Sequence, residues 1–257
     1  MKIAAQLYTL RNFTQTPEGF FETLKKVKKI GYESIQISGC GKMEPDFIKK
    51  CLDKTDLSVC VTHTAPDRIL NDTEAVINEH KMWGCKYIGL GSYWAINDLP
   101  DSELKNAADE FIKKFLPAME KIKDSGLKFL YHNHANEFRH IDKDKNFMEY
   151  VCEKIPADRF GIIADFYWTQ IGGANPIEFI DTYGERLKVV HFKDLRIEQN
   201  APKMAPIGEG NINYKAIYEA LKKTTAEAIA VEQDDCYGED PFDCLKRSYN
   251  YLKEVVK

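Results

Sequence analysis

Residues 161–168 of the chain read GIIADFYW, an apolar run that ends in an aspartate and three aromatic residues. Residues 187–192 read LKVVHF and have a similar form, with a histidine near the carboxyl end. Strands that are apolar along their whole length are typical of a parallel sheet covered on both faces. The two segments therefore predict parallel strands whose polar residues gather at one end of the sheet.

Short apolar segments recur along the chain and alternate with longer stretches of helical period. A glycine repeatedly stands between the end of a predicted helix and the next strand, as at Gly31, Gly84 and Gly126. Each repeat is therefore interpreted as one βα unit. Eight strands are predicted, over residues 3–8, 34–38, 58–62, 87–90, 128–133, 161–164, 188–192 and 228–231.

Eight βα units in a chain of 257 residues fit one (β/α)₈ TIM barrel, an α/β fold, and we expect a single domain over residues 1–257. Several predicted helices begin with proline behind a capping side chain, at Thr16, Asn175 and Asp240. A doubly wound open sheet is the alternative. No glycine-rich phosphate fingerprint follows the first strand, which argues against the dinucleotide-binding form of that alternative.

The composition disfavours several classes of function. With a formal net charge of −4 and no basic run, we expect no nucleic-acid partner. Seven scattered cysteines without a C-x-x-C pair favour reduced thiols and a cytoplasmic protein. The first ten residues, MKIAAQLYTL, do not resemble a signal peptide, and no apolar stretch approaches the roughly 20 residues of a membrane helix. We expect no membrane partner, and a homo-oligomer is left open.

Three residues at the ends of neighbouring predicted strands suggest a metal site. Asp165, His191 and Glu232 each follow an apolar run, so they project toward the barrel axis at the mouth where active sites are built. Each one alone could equally cap a helix or pair with a neighbour. Together, two carboxylates beside an imidazole favour a divalent cation, with Mn²⁺, Co²⁺, Zn²⁺ and Mg²⁺ all suitable. A fourth ligand should come from strand five, where the candidates are His132, Asn133, His134 and Glu137.

Four of the six histidines end predicted strands. His63 alone would more often be a core histidine with a satisfied hydrogen bond. With His132, His134 and His191 it forms a group that could bind sugar hydroxyls or shuttle protons. The other two histidines, one in a helical stretch and one in a charged loop, are predicted at the surface: His80 and His140.

Aromatic residues also gather at strand ends, and Tyr8 and Trp168 are examples. Each could simply cover the barrel, but together they suggest an apolar wall for the CH face of a sugar ring. Lys193 and Gln233 would supply polar contacts nearby. For Lys193 a surface ion pair with Asp194 is an equal alternative.

In chain order, the strand ends read QLYTLR, YHNHANEF, DFYWTQIGGANP, HFKD and VEQDD, with IGEGNINY ahead of the seventh helix. This ordered set resembles the sugar phosphate isomerase/epimerase family, the xylose-isomerase-like TIM barrels, over essentially the whole chain. The resemblance implies one bound divalent metal ion and a small sugar or polyol substrate. Our first expectation for the ion is Mn²⁺.

In that family Glu, Asp, His and Glu from strands five to eight typically hold the metal, which implies Asp165, His191 and Glu232 as ligands here. At the end of strand five many relatives show E-N-H, whereas residues 132–134 of this chain read H-N-H. Many epimerases of the family also carry a histidine where this chain has Trp168. The first departure leaves the identity of the fourth metal ligand open, and the second leaves the identity of the substrate open.

Two readings of strand five follow from the resemblance. Either Glu137 reaches back from the loop to the metal, or His132 has replaced the carboxylate, and we favour Glu137. The two metal-bound glutamates of the epimerases transfer protons, which implies Glu232 and Glu137 as catalytic groups, beside His134 and Lys193. A histidine as base would instead favour an elimination, as in the inosose dehydratases, whose fifth strand is also histidine-rich.

The leading hypothesis is a metal-dependent sugar isomerase or epimerase that transfers a proton next to a carbonyl of a ketose or keto-sugar. The alternatives are a metal-dependent dehydratase or lyase on a keto-sugar or keto-inositol, and a catalytically inactive sugar-binding barrel. A nuclease is disfavoured because the chain is acidic and poor in histidine. The sequence shows no basic clamp for a phosphate group.

Overall fold

A closed barrel of eight parallel strands forms the centre of the computed structural model, which describes residues 1–256. The strands are β1 (Lys2–Gln6), β2 (Ser34–Ile37), β3 (Ser58–Thr64), β4 (Tyr87–Leu90), β5 (Lys128–His132), β6 (Phe160–Asp165), β7 (Leu187–Phe192), β8 (Asp194–Glu198), β9 (Ala201–Ala205) and β10 (Ala228–Val231). The strand order around the barrel is β1-β10-β7-β6-β5-β4-β3-β2, and β8 and β9 form a separate hairpin.

Ten α-helices within the described residues surround the barrel and cover the outer face of its strands. They are α1 (Pro17–Ile30), α2 (Pro45–Thr55), α3 (Pro66–Asn71), α4 (Thr73–Trp83), α5 (Asp101–Asp124), α6 (Phe147–Lys154), α7 (Phe166–Ile171), α8 (Pro176–Tyr183), α9 (Tyr214–Leu221) and α10 (Pro241–Val255). Short 3₁₀ segments span Leu7–Phe13, Trp94–Ile96 and Asn136–Phe138.

The predicted barrel is confirmed, and all eight predicted strands lie within two residues of the observed bounds. The first and third strands each differ by two residues at their carboxyl end, and Tyr8, which was predicted inside the first strand, lies in the 3₁₀ segment instead. The chain turns there because the Gln6 side chain accepts a hydrogen bond from the Tyr8 backbone N–H, at 3.0 Å.

The predicted helix starts are confirmed as well. Thr16, Asn175 and Asp240 each accept a backbone N–H bond at the start of their helix, and each is followed by proline. Such a cap stabilises a helix by about 1 kcal/mol because it satisfies a donor that the helix leaves open. The caps therefore position three helices from local sequence alone.

The β8–β9 hairpin was not predicted. Its two strands pair antiparallel, and the turn between them places Gln199 at φ 51° and Asn200 at φ 62°. Two consecutive residues with positive φ are the mark of a type I′ turn, and asparagine tolerates that conformation. The signal was present in IEQNAPK but is weaker than the Asn-Gly pair that usually identifies such turns.

The barrel interior is layered, and the layers explain where the polar residues lie. The lower layer is apolar and includes Ala4, Val61, Leu130, Ile163, Val189 and Ala230. Because side chains alternate along a strand, the residue two positions later faces the same interior, one layer nearer the carboxyl ends. Those residues are Gln6, His63, His132, Asp165, His191 and Glu232.

Two expectations from composition can be compared with the structure. All seven cysteine side chains are free thiols. Among residues 1–256, no helix combines the length and the apolar character that crossing a membrane requires.

Candidate active site

Four side chains from adjacent strands form a compact cluster in the polar layer. His132, Asp165, His191 and Glu232 each offer one ligand atom, and these four atoms lie within 4.8 Å of one another. His132 Nε2 is 3.3 Å from Asp165 Oδ2, and His191 Nδ1 is 3.1 Å from Glu232 Oε2. The barrel strands therefore bring Asp165, His191 and Glu232 together, as the sequence predicts.

Hydrogen bonds on the far side of each imidazole orient both histidines. His132 Nδ1 lies 2.9 Å from the carbonyl oxygen of Gly91, which can only accept, so Nδ1 carries a proton and Nε2 faces the cluster. His191 Nε2 lies 2.7 Å from Gln36 Oε1, which leaves Nδ1 facing the carboxylates. Ligating histidines are commonly held by such a second hydrogen bond. Two imidazole nitrogens and two carboxylates thus converge, and this donor set fits a divalent ion of the Mn²⁺, Co²⁺ or Zn²⁺ type.

Lys193 carries the positive charge beside this cluster. Its Nζ is 2.9 Å from Glu232 Oε2, 3.3 Å from Asp165 Oδ2 and 3.0 Å from Asp234 Oδ2. Burial favours the neutral amine, but the three carboxylates outweigh it, so the pKa of Lys193 is raised well above its usual value. Burial likewise favours protonated carboxyls, yet Lys193 and the histidines hold the pKa values of Asp165 and Glu232 well below their usual range.

The structure does not bring Glu137 into the cluster, contrary to the expectation that it would be the fourth ligand. Both carboxylate oxygens of Glu137 are engaged elsewhere: Oε1 accepts from the Tyr131 hydroxyl at 2.6 Å and Oε2 from the His134 backbone N–H at 2.8 Å. The strand alternation explains the difference, because His132 is the inward-facing residue of β5 and Glu137 lies in the following loop. Glu137 instead holds the turn that carries His134.

A cavity of about 510 Å³ opens above the cluster at the carboxyl ends of the strands. This volume is within the usual range for small-molecule sites. His132 and Glu232 line it, whereas Asp165 and His191 lie behind them and are fully buried. Five other residues that were predicted to contact substrate or to act in catalysis also line the cavity: Tyr8, His63, His134, Trp168 and Lys193.

Three residues of the cavity wall have a buried polar atom without a hydrogen-bond partner in the described part of the chain: His63 Nε2, His134 Nδ1 and Trp168 Nε1. Buried polar groups in folded proteins are nearly always satisfied, so unpartnered atoms at a cavity wall indicate a bound polar ligand or water. Burial is the main cause that lowers the pKa of both histidines well below the usual value, so both imidazoles are neutral near pH 7.

Two predicted polar contacts differ from expectation. Gln233 is not among the lining residues, because its side chain folds back and donates to the backbone carbonyl of Asp235. Asp194 does not pair with Lys193 at the surface, since its carboxylate instead accepts four backbone N–H bonds. The surface-pair alternative for Lys193 is therefore wrong, because Lys193 is only 1% exposed.

The expectation that His80 lies at the surface is also wrong. His80 is 1% exposed, its Nδ1 lies 2.7 Å from the Val76 carbonyl oxygen and its Nε2 lies 2.8 Å from Thr62 Oγ1. The residue therefore lies on the buried face of α4 and reaches a hydroxyl group of β3. A helical position alone could not show that the facing strand offers a hydroxyl partner.

Sequence reasoning also missed several residues of the site. Asp234 lines the cavity and contacts Lys193, and its position two residues after Glu232 in VEQDD was an available signal. Trp94 lines the cavity too, although 68% exposed, and begins the short 3₁₀ segment after β4, for which no strand-end pattern was recognised. Gln36 is fully buried between two isoleucines of a predicted strand, and a buried amide indicates a polar partner inside the fold.

Comparison with known proteins identifies the family and confirms the fold. The family described as "Xylose isomerase-like TIM barrel" matches residues 24–255. Inosose dehydratase of Lacticaseibacillus casei is 20% identical over 272 residues, covering 92% of this chain and 90% of the relative. A sugar phosphate isomerase/epimerase structure from Parabacteroides distasonis superposes with a TM-score of 0.75 at 22% identity, over 98% of this chain and 93% of the other. The structure of the IOLI protein with a bound zinc atom superposes with a TM-score of 0.72 at 15% identity. The match covers 100% of this chain and 98% of the other.

Proposed function

Because the chain belongs to the xylose isomerase-like TIM barrel family, we propose that it is a metal-dependent lyase that removes water from a keto-sugar or keto-inositol. One observation carries the proposal: His132, rather than a glutamate, completes the cluster from strand five. An epimerase of the carboxylate-pair type needs a second acidic group at this position, and this chain has an imidazole there. The similarity to inosose dehydratase supports the same reaction class.

We assign His132, Asp165, His191 and Glu232 as the ligands of one divalent ion, with Mn²⁺ as our first choice. The zinc atom in the IOLI structure supports a metal in a barrel of this fold. When bound, such an ion polarises the carbonyl and hydroxyl oxygens of a substrate and so acidifies the adjacent C–H bond. Two ionised carboxylates balance its double charge, and Lys193 remains as a further positive group at the cavity wall.

His134 is our candidate for the proton-transfer group. Its neutral imidazole lines the cavity, with Nδ1 unpartnered and the ring packed against His132 at 4.5 Å and Trp168 at 5.4 Å between centroids. As a neutral base, the ring would take the proton from the carbon next to the carbonyl. The imidazolium would then give that proton to the departing hydroxyl, so that water leaves and a C=C bond forms without any oxidant. A lowered pKa favours this second transfer.

Glu137 and Tyr131 position that group. The Tyr131 hydroxyl holds one oxygen of Glu137, and the other oxygen accepts the backbone N–H of His134. All three residues follow one another within a single strand end and its loop. The role of Glu137 is therefore to fix the turn, which replaces the earlier expectation of metal binding.

The deciding experiment is product analysis of the Mn²⁺-loaded protein incubated with an inosose and, separately, with a panel of ketoses. We expect the inosose product to have lost one water, as measured by mass spectrometry. His134→Gln should reduce kcat by about 10²-fold or more while bound metal stays unchanged. His140→Gln, at an exposed loop position, is the matched control. A product of unchanged mass would contradict the lyase assignment.

Epimerisation remains the second candidate, because Glu232 lines the cavity as an ionised carboxylate and could accept a proton. An epimerase would introduce solvent deuterium at the α-carbon in D₂O and return a sugar of the same composition. A product that has lost water supports the lyase, whereas a deuterated sugar of unchanged composition supports the epimerase.

A further inference from the structure

Gln36 contacts the cluster from the opposite side of the barrel. It lies on β2, is fully buried, and accepts from His191 Nε2 through Oε1 at 2.7 Å, although 155 residues separate the two in sequence. No other hydrogen bond holds its amide among the described residues, since Gln36 Nε2 has no partner. Within the described residues, His191 is therefore the one hydrogen-bond partner of this amide.

The two orientations of this amide have opposite effects on His191. With Oε1 toward the ring, Nε2 keeps its proton when a metal displaces the Nδ1 proton from its hydrogen bond with Glu232, and Nδ1 can then present a lone pair to the ion. With the NH₂ group toward the ring, Nε2 would have to accept. Nδ1 would then carry the proton and donate it to Glu232 Oε2, only 3.1 Å away, and the ring could not bind a metal.

We propose that Gln36 is a positioning residue: by accepting a hydrogen bond from His191 Nε2, it stabilises the ring orientation and tautomer in which Nδ1 can bind a metal, and so raises the metal affinity of the cluster. The inference rests on the proposed metal site but not on the proposed reaction. Gln36 is outside the set of cavity-lining residues, so it acts through His191 and not on a substrate. Outer hydrogen bonds of this kind change metal affinity by about 10- to 100-fold.

Gln6 provides a matched control. It occupies the same interior layer on the neighbouring strand, pairs in register with Gln36, is fully buried and also has an unpartnered Nε2. Its Oε1 accepts from the Tyr8 backbone and not from a residue of the cluster. Gln6→Leu therefore removes an equally buried amide without touching His191.

The test is Mn²⁺ and Zn²⁺ affinity by isothermal titration calorimetry on the full chain, with no substrate present. We expect Gln36→Leu to weaken binding by about 10- to 100-fold. Gln36→Glu, whose carboxylate can only accept, should bind at least as tightly as the unmodified protein. Gln6→Leu should leave the affinity within about threefold, as for a substitution with no contact to a ligand. Equal affinities for Gln36→Leu and Gln6→Leu would overturn the proposal.

A second measurement tests the tautomer that the proposal requires, even if Gln36→Leu does not fold. Nitrogen NMR of ¹⁵N-histidine-labelled protein loaded with Zn²⁺ reports which nitrogen of His191 carries the proton. We expect Nε2 to be protonated in the unmodified protein and in Gln36→Glu. A proton on Nδ1 would overturn the inference, whereas failure of the metal to bind the unmodified protein at all would instead contradict the proposed metal site.

Discussion

At the scale of single residues, His132 has the greatest consequence for chemistry. An imidazole in place of a carboxylate leaves two ionised oxygen ligands, Asp165 and Glu232, so a bound divalent ion would be neutralised but not overcompensated. Lys193 then adds a positive charge that Asp234 partly balances, at 3.0 Å. A site of this charge stabilises a developing enolate better than one with three anionic ligands.

Glu232→Gln tests the ligand set directly. The amide keeps the size of the side chain but removes its charge, and so we expect both weaker metal binding and a loss in kcat of at least about 10²-fold. Metal content and steady-state kinetics are the measurements. Glu185→Gln, an exposed site, should match the unmodified protein. Full activity in Glu232→Gln would remove Glu232 from the ligand set.

Buried His80 predicts how stability depends on pH. Burial is the main cause that lowers the pKa of His80 to about 4, against an ordinary value of 6.5. Between these values the unfolded chain binds more protons than the folded chain, so stability falls as pH drops from 6.5 to 4. Relative to pH 7, His80 therefore lowers the free energy of unfolding by roughly 3 kcal/mol at pH 4.

Urea unfolding between pH 4 and pH 7 measures this contribution. We expect the stability of His80→Gln to depend less on pH over that range than that of the unmodified protein. His140→Gln, which removes an exposed histidine, should leave the slope unchanged. Parallel curves for His80→Gln and the unmodified protein would contradict the assignment of His80 as a buried neutral group.

At the scale of elements, the segment between β9 and α9 has little regular structure of its own and depends on one carboxylate. Asp194, the first residue of β8, accepts backbone N–H bonds from Leu195, Gly208, Gly210 and Ile212. A side chain at position 210 would meet the Asp194 carboxylate at 2.3 Å, so only glycine allows this close approach. The loop is therefore positioned by a contact between distant elements.

Asp194→Asn tests that dependence. An amide NH₂ cannot accept, so it would face the N–H groups of Gly208 and Gly210 and leave them unsatisfied, which should cost about 2 kcal/mol of unfolding free energy. Hydrogen exchange of residues 206–212 should accelerate. Asp142→Asn, where an exposed aspartate accepts similar backbone bonds, should cost about 0.5 kcal/mol or less. Unchanged exchange in Asp194→Asn would contradict this role.

At the scale of the whole molecule, the barrel separates stability from function by layer. The apolar lower layer and the outer shell of helices contain the packed core, while the polar layer at the carboxyl ends carries the cluster. Burying two carboxylates is unfavourable unless positive charge offsets it. Lys193 does so within this chain, and a bound metal would add to the effect.

Metal binding should therefore stabilise the whole fold. At a free concentration of one hundred times Kd, a ligand that binds only the folded state adds about 2.7 kcal/mol. For a chain of this size, that corresponds to a rise in Tm of roughly 5–10 °C. Thermal unfolding with Mn²⁺ and after chelation is the measurement. Asp165→Asn keeps an acceptor for the Trp168 backbone N–H but should lose most of this rise.

The sequence by itself determined the features that depend on local periodicity. The eight strands, their helices and the caps at Thr16, Asn175 and Asp240 follow from apolar period and side-chain chemistry over a few residues. The convergence of Asp165, His191 and Glu232 also follows from it, because each ends an apolar strand and parallel strands in a barrel all end at the same mouth.

Only the tertiary structure decided which remaining side chains meet. It places His132 in the cluster and keeps Glu137 in the loop, turns Lys193 inward, and brings Gln36 across the barrel to His191. These contacts join residues far apart in sequence, or choose between neighbours on one strand end. Both depend on strand register and on the closure of the barrel, which no local pattern of residues encodes.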